Sequence, residues 1–400
     1  MVASINKMIE KKNLLICTSI LQVLNFISSV NLLKNNITDK NYIILIHPSL
    51  NDNQKVGIII AEYAKIFNIS LFNLTDIGND VFDIQSTVNL GKLNFNFKNN
   101  IRNFDINLER LKVKFRNFVK ENIGRIDNVF MRKSFKRLDF FFYKSIEDNF
   151  KTYLIDDGMG DYLDERWHIK NLIFYEIKHS VKFFINKNIL FILYKIFSKN
   201  GRNYNYLYYK INKYEKYFTN ILGKKIVNSV LIKNEFKKVI KYIYSLKVKK
   251  KSVKVILLGS LIGEDPEKYN CLYTSDKILV YNQIINKIQN KHSINNIDIW
   301  YLPHPRLSLN TYNILKKKLN CSIYDYNNHS TAETEFCNNA LIAVYSITST
   351  SLLYSKLIFD LDSYYINIQS LKDRSHPTHY LKSHSIFRSF NFKEIEYENK

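Results

Sequence analysis

Glycine and proline are scarce in this chain, 10 and 5 in 400 residues. That scarcity leaves little room for flexible linkers or low-complexity tails. Cysteine is scarce too. Cys17, Cys271, Cys321 and Cys337 stand far apart and form no CxxC pair. They read as buried free thiols in a reducing compartment, with neither a disulfide framework nor a metal site. No apolar run reaches the roughly 18 residues that a membrane span needs. Acids are outnumbered, 36 Asp and Glu against 59 Lys and Arg, which leaves a net charge of +23. Zinc-finger spacing, RNP-type aromatics and basic-zipper heptads are missing, so the charge is not read as nucleic-acid binding. An anionic substrate or membrane face remains open, as does a purely compositional origin in a chain rich in Lys, Asn and Ile.

What is present is a globular chain, 46% hydrophobic and long enough for two cores. Lys7, Lys11 and Lys12 precede the apolar run Leu14-Leu15-Ile16-Cys17, as in a signal sequence. Gln22 and Asn25 interrupt that stretch, however, and no small-residue cleavage site follows. A buried first strand over 13–20 and a helix over 20–33 are expected instead. Strand-like runs at 42–46, 69–72, 129–131 and 152–155 alternate with helical spacing at 56–67 and 104–120. After the charge run at 247–252 the alternation resumes. Strands are expected at 253–258, 297–302, 322–324 and 340–344, with helices at 278–291 and from Asn310. Strand–helix alternation with uninterrupted apolar strands predicts α/β units with parallel sheets. The expected division is a first domain over 1–246 and a second over 252–400. The basic, aromatic stretch 170–245 reads either as helices packed on the first domain or as a surface for an anionic bilayer.

Three polar motifs punctuate this pattern. Asp156-Asp157-Gly158 ends a strand, and the glycine lets the chain turn so that both carboxylates face a cleft. A carboxylate beside another carboxylate suits a general base; an acidic turn is the plainer alternative. His304-Pro305-Arg306 follows the run 297–302. His-Pro also occurs at His47-Pro48 and His376-Pro377, the latter in a polar loop with His379 and His384. The third motif is Ser349-Thr350-Ser351, after the apolar run Leu341–Tyr345 and before a helix-like pattern. Hydroxyls and free backbone N–H groups at a helix start can hold a phosphate, or can simply cap the helix.

Taken together, the order and spacing resemble the bacterial sialyltransferases. The closest likeness is to the lipooligosaccharide sialyltransferase family, with the capsular polysialyltransferases as near relatives. Asn13–Thr18 with Leu21-Gln22 resembles that family's opening strand and helix, and Val255–Leu261 the first strand of its nucleotide domain. Two positions depart from the pattern. Leu302 stands where a basic residue often precedes the family histidine, and Thr331-Ala332-Glu333 lacks the proline of a Pro-x-Glu segment.

The resemblance implies a GT-B architecture, two Rossmann-like domains facing a cleft. It implies an inverting transfer of sialic acid from CMP-sialic acid to a hydroxyl of a lipooligosaccharide or capsular glycan. Asp157 would be the base, with Asp156 the alternative, and His304 would protonate or hydrogen-bond the departing phosphate oxygen. Ser349, Thr350 and Ser351 would hold that phosphate, with Pro305, Arg306, Gly259, Glu333 and Thr18 also contacting substrate. Neither a metal nor a further cofactor is implied. The expected location is the cytoplasmic face of the inner membrane, bound peripherally. The competing readings are a GT-B transferase for another nucleotide sugar and a non-enzymatic protein of the membrane surface.

Overall fold

A computed structural model describes residues 10–33, 39–45, 54–73, 97–132, 134–135, 142–143, 145–146, 149–156, 209–210, 214–221, 228–246, 253–259, 275–292, 297–305, 307–326, 331–368 and 377–397. By packing, the chain divides into two units. One lies within Met1–Leu50, Ile60–Asp157 and Leu172–Ile232, the other within Asn51–Ile59, Gly158–Asn171 and Lys233–Lys400.

The first unit is built on β1 (Lys12–Cys17), β2 (Lys40–Leu45), β3 (Ser70–Asn73), β4 (Asn128–Arg132), β6 (Lys151–Ile155), β8 (Lys216–Thr219) and β9 (Ser229–Leu231). They form one sheet in the order β3-β2-β1-β4-β6-β8-β9, and every pairing is parallel. Helices α1 (Ile20–Leu32), α2 (Gln54–Ile66) and α3 (Phe97–Asn122) connect them. Both faces are covered, which is why the strands read as unbroken apolar runs. Leu14, Ile16, Val129 and Met131 pack with Leu111, Phe115 and Val119 of α3. Phe130 points to the other face. There it meets Phe26 of α1 edge-on at 5.0 Å and stacks on Tyr153 at 4.9 Å. A two-residue ribbon, β5 (Ser134–Phe135) with β7 (Tyr209–Lys210), lies apart from this sheet.

The scarcity of glycine leaves a mark on the backbone. Helix α3 does stop on a glycine: Gly124 has φ 78, and its N–H bonds back to Val119 O at 2.8 Å. Elsewhere the left-handed positions are taken by Asn68, Asn228, Asp360 and Asn391, with φ of 51–59. Asn and Asp are the side chains that tolerate this region best. Asn68 ends α2 in this way: its N–H bonds to Lys65 O, and that of Ile69 to Ala64 O.

The second unit holds β10 (Val255–Leu258), β11 (Ile299–Leu302), β12 (Ser322–Ile323), β13 (Ala343–Ser346), β14 (Asp362–Ile368) and β15 (Lys393–Tyr397). Their order is β12-β11-β10-β13-β14-β15, again parallel throughout. Its helices are α4 (Lys233–Ser245), α5 (Ser275–Lys291), α6 (Leu309–Lys318), α7 (Ala332–Glu335), α8 (Ser351–Leu357) and α9 (Pro377–Ser389). Each sheet therefore has a switch point, where the chain order reverses: between β1 and β4 in the first, between β10 and β13 in the second. Ligands of open α/β sheets bind beyond the carboxyl ends of the strands at such points.

Three expectations are corrected here. The stretch 170–245 does not meet the expectation of helices at every described residue. Its described part supplies β8 and β9, with Tyr217 and Phe218 wholly buried. Helix α4 packs with the second unit, so the packing boundary falls before Lys233 and not at 247–252. Phe236 of α4 meets Tyr354 of α8 edge-on at 5.3 Å, and Lys237 Nζ donates to Ile358 O at 3.3 Å. His384 lies not in a loop but in α9, where it is 3% exposed.

Candidate functional site

In the first unit, β6 delivers Asp156 to the carboxyl edge of the sheet. The sequence suggests a carboxylate facing a cleft; the structure buries Asp156 completely. Its carboxylate accepts from Tyr217 Oη (2.5 Å), Thr219 Oγ1 (2.9 Å) and the Asn220 backbone N–H (2.9 Å). Tyr217 and Thr219 belong to β8, the strand beside β6. A carboxylate committed to three buried donors is a structural tie and is poorly placed to take a proton from substrate. Asp157 and Gly158 lie outside the described residues. At the end of β1, Thr18 is half-buried and its N–H donates to Gln22 Oε1 at 2.7 Å. Ser19 caps α1 by accepting from Gln22 N–H at 3.3 Å.

In the second unit, three neighbouring strands end in chemistry-bearing residues. β11 runs into Pro303-His304-Pro305. The His304 carbonyl accepts from Leu307 N–H at 2.9 Å. This closes a turn with Pro305 at the second position, where its fixed φ is favoured. His304 is half-buried; Arg306 lies outside the described residues. β10 ends at Gly259, whose N–H donates to Leu302 O at 2.8 Å and ties the two strand ends together.

β13 ends in the hydroxyl turn 346–351. Here the expectation of free backbone donors is corrected. Ser349 N–H donates to Ser346 Oγ at 3.0 Å, Ser351 N–H to Ser349 Oγ at 3.3 Å, and Leu352 N–H to Ser349 O at 3.1 Å. The turn satisfies these amides itself, so the hydroxyls are what it presents. Thr350 is the cap residue of α8 but makes no side-chain cap bond. Beneath the turn, His384 Nε2 lies 3.1 Å from Ile347 O.

Ser351 Oγ donates to Glu333 Oε1 at 2.7 Å. Glu333 stands in α7 and is 8% exposed. Burial pushes its carboxyl above the ordinary 4.5, although the bond from Ser351 pulls the other way. Its neighbour Glu335 accepts from Tyr324 Oη at 3.0 Å. A buried carboxyl with a raised value binds its proton more tightly folded than unfolded. Its contribution to stability is therefore greatest below 4.5 and is lost as pH rises through the folded value. Glu333→Gln keeps an acceptor for Ser351 and removes the buried charge. It is expected to raise the melting temperature near pH 8, with the gain shrinking to nothing toward pH 4. A melting series across that range checks it.

Cys17, Cys321 and Cys337 are in no disulfide, and burial pushes the Cys321 thiol up to about 12, so it stays neutral. Among the described residues no group of three or more His, Cys, Asp or Glu stands together as metal ligands do. No helix among them is long and apolar enough to cross a membrane.

Two doubly wound parallel units, each with a switch point, with a histidine, a glycine and a hydroxyl turn at adjacent strand ends of the second, define the nucleotide-binding class of α/β proteins. Within it, the chain belongs to the alpha-2,8-polysialyltransferase family, whose model matches residues 13–367. Of the two related families that the motifs resemble, this is the polysialyltransferase one, and the match spans all three motifs. The chain is a glycosyltransferase of the sialyltransferase kind. No curated protein matches it. Among solved structures it is similar to a sialyltransferase from Photobacterium damsela, at 12% identity over 97% of this chain and 82% of that one, with a TM-score of 0.44. It is also similar to MurG of Acinetobacter baumannii, at 6% identity, 97% and 86% coverage and a TM-score of 0.42. A putative UDP-N-acetylglucosamine 2-epimerase of Listeria monocytogenes gives 10% identity, 96% and 84% coverage and a TM-score of 0.46.

Sequence reasoning singled out the strand-end motifs but missed the shell around them. Tyr217, Thr219 and Asn220 sit in a stretch that matched no pattern. Asn25 and Gln22 were visible only as polar breaks in an apolar helix face.

Proposed function

We propose that the chain transfers sialic acid from CMP-sialic acid to a glycan hydroxyl, with inversion at the anomeric carbon. One observation carries the reading. His304, Gly259 and the hydroxyl turn end β11, β10 and β13, three adjacent parallel strands astride the switch point of the second sheet. Strands about 4.8 Å apart place the outer two motifs about 10 Å from each other, the scale of a nucleotide phosphate and its sugar.

In this reading His304 donates a proton or hydrogen bond to the phosphate oxygen as the glycosidic bond breaks. Ser349 and Thr350 donate hydroxyl hydrogen bonds to the phosphate, Ser351, whose hydroxyl proton goes to Glu333, fixes that carboxylate beside them, and Arg306 offsets the charge of the phosphate. Glu333, tied to Ser351, accepts from the ribose hydroxyls. Asp157 takes the proton of the attacking hydroxyl. The leaving group is a monophosphate, which neutral donors can stabilise without a metal ion. The family's name points to sialic acid itself as the acceptor, so that each product can be the next acceptor on a capsular or lipooligosaccharide chain. A net charge of +23 suits an anionic donor and an anionic product.

Activity is expected to survive EDTA, with CMP inhibiting as a product more strongly than UDP or GDP. Changing Ser349, Thr350 and Ser351 together to alanine should raise the KM for donor. Strict dependence on Mn²⁺ or Mg²⁺, together with tighter binding of a nucleoside diphosphate, overturns the reading. In the same reading the protein attaches to the cytoplasmic membrane face through lysines and aromatics of 170–245. Attraction to anionic lipid is screened by salt, so a high-salt wash should release it from membranes. Release by detergent alone would contradict this placement.

A further inference from the structure

Asn25 is one of four buried polar residues of α1, with Gln22, Ser28 and Ser29, and it is wholly buried beside Val23, Leu24, Phe26 and Ile27. A buried amide costs stability unless its hydrogen bonds are met. Its Nδ2 donates to the carbonyl oxygen of Asp156 at 3.0 Å, and its Oδ1 accepts from Asn220 Nδ2 at 2.7 Å. That carbonyl belongs to the peptide bond joining Asp156 to Asp157. The Asp156 side chain is held in turn by Tyr217, Thr219 and the Asn220 N–H. Thr219 Oγ1 also lies 2.8 Å from Ile221 O and 3.2 Å from Ile221 N. Four pieces of chain meet here: the middle of α1, the end of β6, the end of β8 and the turn after it.

A buried carboxylate is a poor way to gain stability, because apolar side chains of similar shape often serve as well or better. What such a network does supply is a fixed geometry. The geometry points to Asn25 and Asp156 as positioning residues for Asp157. One holds the peptide and the other the side chain at the last point where the strand is anchored. The carbonyl of the peptide that leads to Asp157 is thereby held from α1. The inference rests on the reading of Asp157 as the base. It adds that the first acid of the motif and a helix asparagine 131 positions away work through the second acid and do not touch substrate.

The test is a double-mutant cycle on the full chain, following transfer from CMP-sialic acid to a sialylated oligosaccharide. Misplacing a reacting group by about 1 Å can cost on the order of 100-fold. Asn25→Ala is expected to lower kcat by roughly 10- to 100-fold while the donor KM stays within about twofold. In an Asp157→Asn background the same change should slow the residual rate by less than about twofold, because the group it positions is gone. Additive losses, or a loss carried by KM, overturn the inference. If Asn25→Ala does not fold, as judged by melting and CMP calorimetry, Tyr217→Phe takes its place in the cycle. It removes a single oxygen from the Asp156 shell, and the same outcomes decide. An Asp157→Asn enzyme at full speed is a separate failure, that of the base assignment, and is read without reference to Asn25.

Discussion

Asp157→Asn is expected to reduce transfer by about 10²- to 10⁴-fold, the range that a general base contributes, while CMP still binds. The attacking hydroxyl is a weak nucleophile at neutral pH, and its proton has to leave as the new bond forms. The motif offers two carboxylates for this, of which the structure describes the first. Asp156 has no exposed surface and accepts three hydrogen bonds from β8 and the turn beyond it. That leaves Asp157, the next residue in the chain, followed by Gly158. Side-by-side assays of transfer and CMP calorimetry on Asp157→Asn check the assignment. Near-normal turnover would remove Asp157 as base. Loss of CMP binding would mean that the substitution damaged the fold.

His304→Ala is expected to lower kcat by a factor in the same range, because the phosphate oxygen would leave without its acid. The chain carries its own controls. His47-Pro48 and His376-Pro377 repeat the dipeptide, but neither stands just after β11 in the chain as His304 does. Alanine at His47 or His376 should leave kcat within a few-fold of the parent. Steady-state kinetics on the three variants, with melting curves beside them, makes the comparison. Equal losses at all three positions would show that fold damage is being measured.

Much of the fold was legible because buried parallel strands leave unbroken apolar runs. β1, β2, β4, β6, β10 and β11 each follow such a run, and α1, α3 and α5 follow helical spacing. The edge strands were harder to see. β8 and β9 are short, and they sit at the end of a long basic, aromatic stretch whose composition suggested helices. The burial of β8 comes from neighbours distant in sequence, such as Tyr153 stacked on Phe218. β14, α9 and β15 were not anticipated either. β14 has the apolar residues of a strand but was overshadowed by the polar segment that follows it. In the site, the motifs themselves were readable because their residue types are chemically distinctive. Their partners were not. A lone Asn25 in a helix looks like a weak point until the fold places it against Asp156. The self-satisfied amides of 346–351 follow from Ser346, which sequence alone presented as one more hydroxyl in a cluster.

Calorimetry of the purified chain with CMP, CDP and UDP, followed by CMP-sialic acid and a UDP-sugar, tests the central claim most directly. CMP and CMP-sialic acid are expected to bind in the presence of EDTA, CDP and UDP to bind more weakly, and the UDP-sugar to show no turnover. Tighter binding of UDP or its sugar, dependent on a divalent cation, would contradict the claim.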